Sequence, residues 1–206
     1  NFEREEVIGM DAFELIAVKD RQRAMEDSIN TLQTGDSDLA EWCLLGKGGT
    51  EHDAEARSSI IYDRDGKPKY MVNVMRDITE RKRIYEQLRV SEEKLRRIFE
   101  SIGDGLTISD LEGTILDVNE ETLHLSGYSR DEILGKFVLE LMAERDRPRA
   151  LQDMLKTIEY GYSGVKEYSA LTKGGREFPA EATTTVLCDA EGKAVGMVNI
   201  LRDITE

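Results

Sequence analysis

The sequence predicts an α+β protein of two like domains, each a five-stranded antiparallel sheet with short helices on one face, joined by a long helix. Three features point to this fold. The chain repeats itself: Arg76-Asp77-Ile78-Thr79-Glu80 returns 126 positions on as Arg202-Asp203-Ile204-Thr205-Glu206. The whole stretch from Glu5 to Glu80 returns with it, without a gap, and about 33 of 76 aligned positions are identical. A repeat of that length holds a domain rather than one unit of a solenoid. Within each copy, segments of strand-like alternation are separated by glycine turns. Between the copies runs a charged stretch whose apolar residues return every seven positions.

The second copy carries the full set of elements. Gly105 to Asp110 alternates as a strand, and Leu111-Glu112-Gly113 turns into a second strand, Thr114 to Val118. Asn119 caps a short helix bearing Leu123 and Leu125, which ends near Gly127. Arg130 to Leu134 forms another helical turn, stopped by Gly135. Pro148 suits the first turn of a longer helix carrying Leu151, Met154, Leu155 and Ile158, ending before Gly161. A three-strand meander follows over Val165–Leu171, Phe178–Leu187 and Ala194–Arg202. The first copy begins in the middle of this plan, since Asn1 aligns with Gly127. Its first two strands and first helix are expected either upstream of Asn1 or from another chain, with truncation favoured. The expected boundaries are 1–80 for the first domain, 81–100 for a helical linker and 101–206 for the second domain.

In the linker, Ile84, Leu88, Ser91, Leu95, Ile98 and Ile102 follow a 4-3-4-3-4 spacing, with Asp77-x-x-Glu80 as a capping box at its start. So narrow a seam suits a partner helix, and Ile84, Leu88, Leu95 and Ile98 are the dimer-seam candidates of a homodimer. The other reading is a solvated linker helix lying on its own domains.

Composition narrows the function. A formal charge of −14 argues against nucleic acid and anionic membrane surfaces as partners. No stretch is long and apolar enough to insert in a bilayer. Cys43 and Cys188 stand at non-equivalent repeat positions, which suggests reduced cysteines and a cytoplasmic region, although a longer parent protein could still be membrane-anchored. No metal-ligand, nucleophile–base or phosphate-loop spacing occurs, so no catalytic or metal residues are assigned and an enzyme is not expected here.

Four elements, in the right order, resemble the PAS sensory-domain family: Gly127-Tyr-Ser-Arg-Asp-Glu-Ile-Leu-Gly135, Lys173-Gly-Gly-Arg-Glu-Phe-Pro179, the Asp189-x-x-Gly-Lys193 turn, and the closing Asp-Ile-Thr-Glu at Asp77–Glu80 and Asp203–Glu206. The resemblance implies a sheet that encloses a pocket, and a C-terminal helix that carries signal to an output domain. It places Asp77, Thr79, Glu80, Asp203, Thr205 and Glu206 where the last strand meets that helix, as signal-transmission residues. Asp77 and Asp203 can also accept orphan helical N–H groups, which is a plain cap in its own right.

Strand alternation puts Phe178, Ala180, Ala182 and Thr184 on the inner face, with His52, Ala54, Ala56 and Ser58 at the first copy's matching positions. The resemblance adds Met197, Asn199 and Leu201, and Asn73 by repeat. The alanines leave room for a ligand unless the helices pack closer and fill it. Asn73 and Asn199 either orient a ligand or bond a helix backbone.

The cofactor is left unknown. The reactive cysteine of light-sensing flavin members is replaced by Val138 and Ala12, which excludes a flavin–cysteinyl adduct. No Cys-x-x-Cys-His occurs, excluding c-type haem. The long helix lacks the histidine of haem-binding members, so b-type haem is disfavoured; His52 is expected to be simply hydrogen-bonded and His124 to lie on the surface. Non-covalent FAD, on which Trp42 would stack, and a small organic ligand remain the candidates. The implied function is a tandem sensory and dimerisation region, most simply of a sensor histidine kinase, with a diguanylate cyclase or a transcriptional activator behind it. It would relay a small-molecule or redox signal to a C-terminal output domain. The alternative is a ligand-free scaffold for protein–protein interaction.

Overall fold

The computed structural model describes residues 2–205, so Glu206 of the transmission set lies outside the described residues. The chain forms two compact units, Asn1–Ser91 and Glu92–Glu206. In the first, helix α1 (Arg4–Val7), a 3-10 turn (Ala12–Leu15) and helix α2 (Val18–Thr34) precede strands β1 (Ala40–Leu45), β2 (Glu51–Tyr62) and β3 (Pro68–Asp77). Helix α3 (Thr79–Ser101) follows. The second unit contains β4 (Gly105–Ser109), β5 (Ile115–Val118), α4 (Glu120–Ser126), α5 (Arg130–Ile133), a 3-10 turn (Val138–Leu141), α6 (Arg147–Tyr160), β6 (Lys166–Leu171), β7 (Glu177–Cys188) and β8 (Ala194–Asp203). All pairings between named strands are antiparallel, in the orders β1-β2-β3 and β5-β4-β8-β7-β6.

The repeat in sequence is a repeat in register. Ala54 pairs with Asp77 as Ala180 pairs with Asp203, and the irregularity at Ile61/Tyr62 returns at Leu187/Cys188. Side-chain bonds return as well. Asp20 accepts from the Cys43 N–H and Asp146 from that of Ser169, at 2.9 and 2.8 Å, which ties the start of each long helix to its neighbouring strand. Arg21 Nε donates to the Ile16 carbonyl and Arg147 Nε to that of Met142. Both long helices stop at a glycine in the left-handed region, Gly35 and Gly161, where other residues are strained.

Packing follows the alternation read from the sequence. Along β7, Phe178, Ala180 and Ala182 are buried while Pro179 faces solvent. Small residues at these positions let helix and sheet approach closely: Ala24 meets Ala56 and Trp42, and Ala150 and Met154 join Tyr168, Ala182 and Met197. Gly196 on β8 is required by backbone contact, because a Cβ there would lie 2.6 Å from the Ser109 carbonyl oxygen of β4.

One element was not read from the sequence, and one cap forms differently from its reading. The apolar Phe137–Ala143 stretch holds a 3-10 turn with Val138 and Leu139 buried, an element too short to show a helical period. The capping box on Asp77 and Glu80 is not formed as read. The helix starts at Thr79, whose N–H donates to Asp77 Oδ1 at 2.9 Å, because the Thr79 hydroxyl is taken up by the backbone of Asp53 on β2.

A repeated ion pair joins the α1 and α5 segments to the following hairpins, Glu6 with Lys47 and Glu132 with Lys173. Lys173, aided by the Ser129 N–H and hydroxyl, pulls the Glu132 carboxyl from its usual 4.5 down to about 2. A carboxyl lowered by folding contributes its full stabilisation above the usual value and loses it as pH falls towards the folded one. The pair is solvent-exposed, so salt screens it. Glu132→Gln is therefore expected to flatten the decline of the urea midpoint between pH 4.5 and about 2. An acid limb of unchanged slope would count against this pair.

Candidate functional site

Each unit has a cavity between its sheet and its helices. In the second unit the cavity measures about 70 Å³ and is lined by Leu125, Val138, Met154, Tyr168, Phe178 and Ala182, with Thr107, Thr184, Asn199 and Leu201 among its other walls. That is far below the roughly 300–1,000 Å³ usual for ligand pockets. Met197 and Ala180 are packed in the core and do not line it. The helices lie close over the alanines, with Ala150 and Met154 packed against Tyr168, Ala182 and Met197.

The protein partners of Asn199 are on neighbouring strands rather than on a helix backbone. Its Oδ1 accepts from the Thr184 hydroxyl at 2.9 Å, and its Nδ2 reaches the Thr107 carbonyl and the Ser109 hydroxyl at 3.5 and 3.4 Å, all on neighbouring strands. The first copy repeats the start of this arrangement, with Ser58 Oγ donating to Asn73 Oδ1 at 2.6 Å. Cross-strand neighbours on one face are the nearest partners a short amide can reach.

The matching space in the first unit, about 520 Å³, is open on the side where the second unit has β4, β5 and α4, and is lined by Phe13, Trp42, Leu44, Met71 and Met75, together with Asp27, His52, Asn73 and Asp77. His52 Nδ1 stands 3.6 Å from Asp77 Oδ2, and its Nε2 lies 3.3 Å from Thr50 Oγ1. His124 is exposed on α4 beside Glu121. The Arg23 guanidinium lies 4.2 Å above the Trp42 ring, as that of Arg149 lies 4.6 Å above Tyr168, so one indole face is already covered. A flavin or haem does not fit the second cavity at its present volume. The second cavity's lining offers no histidine to an iron.

Where each copy's last strand ends, the two copies diverge. Ile78 N–H donates to the Asp53 carbonyl and Ile204 N–H to that of Pro179, at 2.8 and 3.1 Å. Asp53 N–H also donates to Thr79 Oγ1 at 3.0 Å, which pins the first turn of α3 to β2. Pro179 has no N–H to give, and the Thr205 hydroxyl instead donates to Asp203 at 2.5 Å. The hydroxyl and N–H of Thr79 hold the Asp77 carboxyl below the usual range, and those of Thr205 do the same for Asp203. Glu80 lies in the first turn of α3. Ile84, Leu88, Leu95 and Ile98 are all exposed.

One residue matters more than the sequence suggested. Asn119, read as a helix cap, is fully buried and bonds three segments at once. Its Oδ1 accepts from the Leu106 N–H at 2.8 Å and the Thr122 N–H at 3.0 Å. Its Nδ2 donates to the carbonyls of Asp104, Ile102 and Phe99 at 2.9, 3.3 and 3.4 Å. The end of α3, the start of β4 and the start of α4 therefore meet on one amide. Glu100 adds a second link from α3, accepting from the Glu120 N–H at 2.8 Å. Thr122 and Leu125 of α4 line the second cavity, so these bonds join the end of α3 to an element of the cavity wall. Only the Asn119 cap bond to Thr122 is local; the other partners lie 13 to 20 residues away and leave no periodic trace.

Asn119→Ala orphans several buried groups, and a loss of about 3 kcal/mol is expected from urea unfolding of the chain. Asn119→Asp keeps the acceptor but turns the donor into a charge facing three carbonyls, and is expected to cost at least as much. A loss below about 1 kcal/mol for both would show that water replaces the amide.

A profile of the PAS domain family matches residues 1–80 and 103–206. Among curated relatives, the Escherichia coli (strain K12) protein described as probable diguanylate cyclase DgcE is 24% identical over 198 residues, covering 94% of this chain and 18% of its own length. The cell-division control histidine kinase PdhS of Brucella ovis is 36% identical over 121 residues, covering 55% of this chain and 11% of its own. The chain thus spans less than a fifth of either relative. A solved PAS domain from Colwellia psychrerythraea superposes with a TM-score of 0.52 at 26% identity, covering 55% of this chain and 96% of that one. The chain belongs to the PAS domain family and carries two of its sensory domains, of the kind found in signalling proteins that include a histidine kinase and a diguanylate cyclase.

Proposed function

We propose that the chain is the tandem sensory and dimerisation region of a cytoplasmic signal-transduction protein, and that it relays a small-molecule or redox signal to an output domain on its C-terminal side. In this reading residues 1–80 and 101–206 are the two sensory domains and 81–100 the connector. The parent is a sensor histidine kinase or a diguanylate cyclase, whose catalysis lies elsewhere in its sequence. No helix among the described residues is long and apolar enough to cross a membrane.

The observation that carries the proposal is the absence of slack where β3 becomes α3. The strand ends at Asp77 and the helix begins at Thr79, with Thr79 and Ile78 both bonded to Asp53. Movement of the β2–β3 hairpin is thereby passed to a helix start. The helix is dimeric in this reading, because its apolar seam is exposed while its other faces are rich in charge. A ligand-free scaffold is the second reading, favoured for the second copy by its 70 Å³ cavity.

Leu88→Lys combined with Leu95→Lys places like charges in the seam, and sedimentation velocity is expected to show the dimer replaced by monomer. An unchanged sedimentation coefficient would remove the connector as the interface. Asp203→Ala in the full-length parent is expected to uncouple output from stimulus at a stability cost of about 1 kcal/mol. Normal stimulated output from that variant would refute the coupling role.

A further inference from the structure

In the second unit α3 ends at Ser101 and β4 begins at Gly105, so residues 102–104 are the whole of the link between them. Asp104, the last of these, is held on both its backbone and its side chain. Its carbonyl accepts from Asn119 Nδ2 at 2.9 Å, the same amide that holds the carbonyls of Phe99 and Ile102. Its carboxylate takes a two-pronged bond from Arg202 on β8, from Nε to Oδ1 at 3.0 Å and from Nη2 to Oδ2 at 2.8 Å. A planar guanidinium set on a carboxylate in this way fixes direction as well as distance. The bond from Arg202 also holds the Asp104 carboxyl below its usual range.

The two ends of the domain meet at this pair. Gly105 pairs with Leu201, which sets Asp104 beside the end of β8. Arg202 is followed by Asp203, whose Oδ1 accepts from the Thr205 N–H at 2.8 Å. A second set of bonds fastens the end of α3 to the same domain. Arg96 reaches Asp117 on β5 at 2.6 Å, and Arg130 bonds Asp117 Oδ1 at 2.8 Å and Glu100 Oε1 at 3.4 Å. None of Asp104, Asn119 and Arg202 lines the cavity. The connection from helix to strand therefore runs along one end of the sheet and not through the interior.

We propose that Asp104 couples the incoming helix of the second domain to its outgoing strand, passing movement of α3 to the end of β8 through Arg202, with no ligand in the interior required. A module used in this way needs a stiff path between its ends and no large space inside, in keeping with a cavity of about 70 Å³. The assignment rests on the relay reading above and names the route within the second domain.

Hydrogen exchange of the full 206-residue chain, read by mass spectrometry over residues 92–103 and 198–205, tests the route. Arg202→Gln is expected to speed exchange about threefold at the end of β8 and also over 92–103, a segment bonded to Asn119 and not to Arg202 itself. Arg145→Gln, which breaks the exposed Arg145–Glu177 pair elsewhere in the same domain, is expected to leave 92–103 unchanged. Exchanging the partners, Asp104→Arg with Arg202→Asp, is expected to restore the original rates over both segments. From the helix side, Glu100→Ala removes the acceptor of the Glu120 N–H and is expected to speed exchange over 198–205 in the unaltered background but not beside Arg202→Gln. A rise confined to β8, a rise shared equally by β6, or a Glu100→Ala effect of the same size in both backgrounds would each overturn the proposal. Arg202→Gln alters an exposed side chain, so its comparison with Arg145→Gln decides the matter even if the exchanged pair misfolds. Failure here leaves the dimer and output readings standing, since the seam substitutions and Asp203→Ala test those separately.

Discussion

The pairing of two long strands, β2 with β3 and β7 with β8, is the constraint from which the rest of each domain follows. These strands of 10 to 12 residues are held in one register in both copies. The register sets Asn73 across from Ser58 and Asn199 across from Thr184, so each amide finds a hydroxyl on its own face. It places alanines under the long helix, where any larger side chain would push helix and sheet apart. It also brings Asp77 and Asp203 to the far end of the sheet opposite Ala54 and Ala180. A slip of one residue would turn the alanines outward and aim the glutamates of β2 and β7 at the core.

On this shared frame the copies differ at a few contacts with large physical consequences. Asp53 offers an N–H that bonds the Thr79 hydroxyl, and Pro179 at the same place cannot, so the Thr205 hydroxyl bonds Asp203 while Ile204 N–H still donates to the Pro179 carbonyl. Tyr168 ties down Asp153, while Trp42 leaves Asp27 unengaged. Burial, with the bond to Asp153, pushes the Tyr168 phenol pKa up and keeps it protonated. The Cys43 thiol is likewise pushed up, by burial and the nearby Glu51, which makes it a packed group rather than a reactive one. The part of the frame that both copies contain matches in register, and single side chains make its contacts differ.

Much of the fold was legible because it is written locally. Alternation along Phe178 to Leu187 identified a strand and its inner face, and Gly161 marked the end of a helix. Asn119 was legible as a cap for the same reason, since Thr122 lies three residues on. Its contacts with Phe99, Ile102 and Leu106 were not legible, because they join segments brought together only when the sheet forms. The partners of Asn199 were missed for that reason too: Thr107 lies 92 residues away, on a strand paired edge to edge with β8. The 3-10 turn at Val138–Leu141 is a single turn, shorter than any period that would reveal it.

The sequence by itself determined the duplication, the order of strands and helices, the face each strand turns inward and the heptad seam along α3, because these depend on neighbours a few positions apart. Only the tertiary structure decided how much empty space lies inside each domain. A cavity volume is a small difference between the space enclosed by packed elements and the volume of the side chains filling it, so a shift of an ångström in a helix changes it severalfold. In the second copy the alanines, with β4 and α4 completing the walls, enclose about 70 Å³.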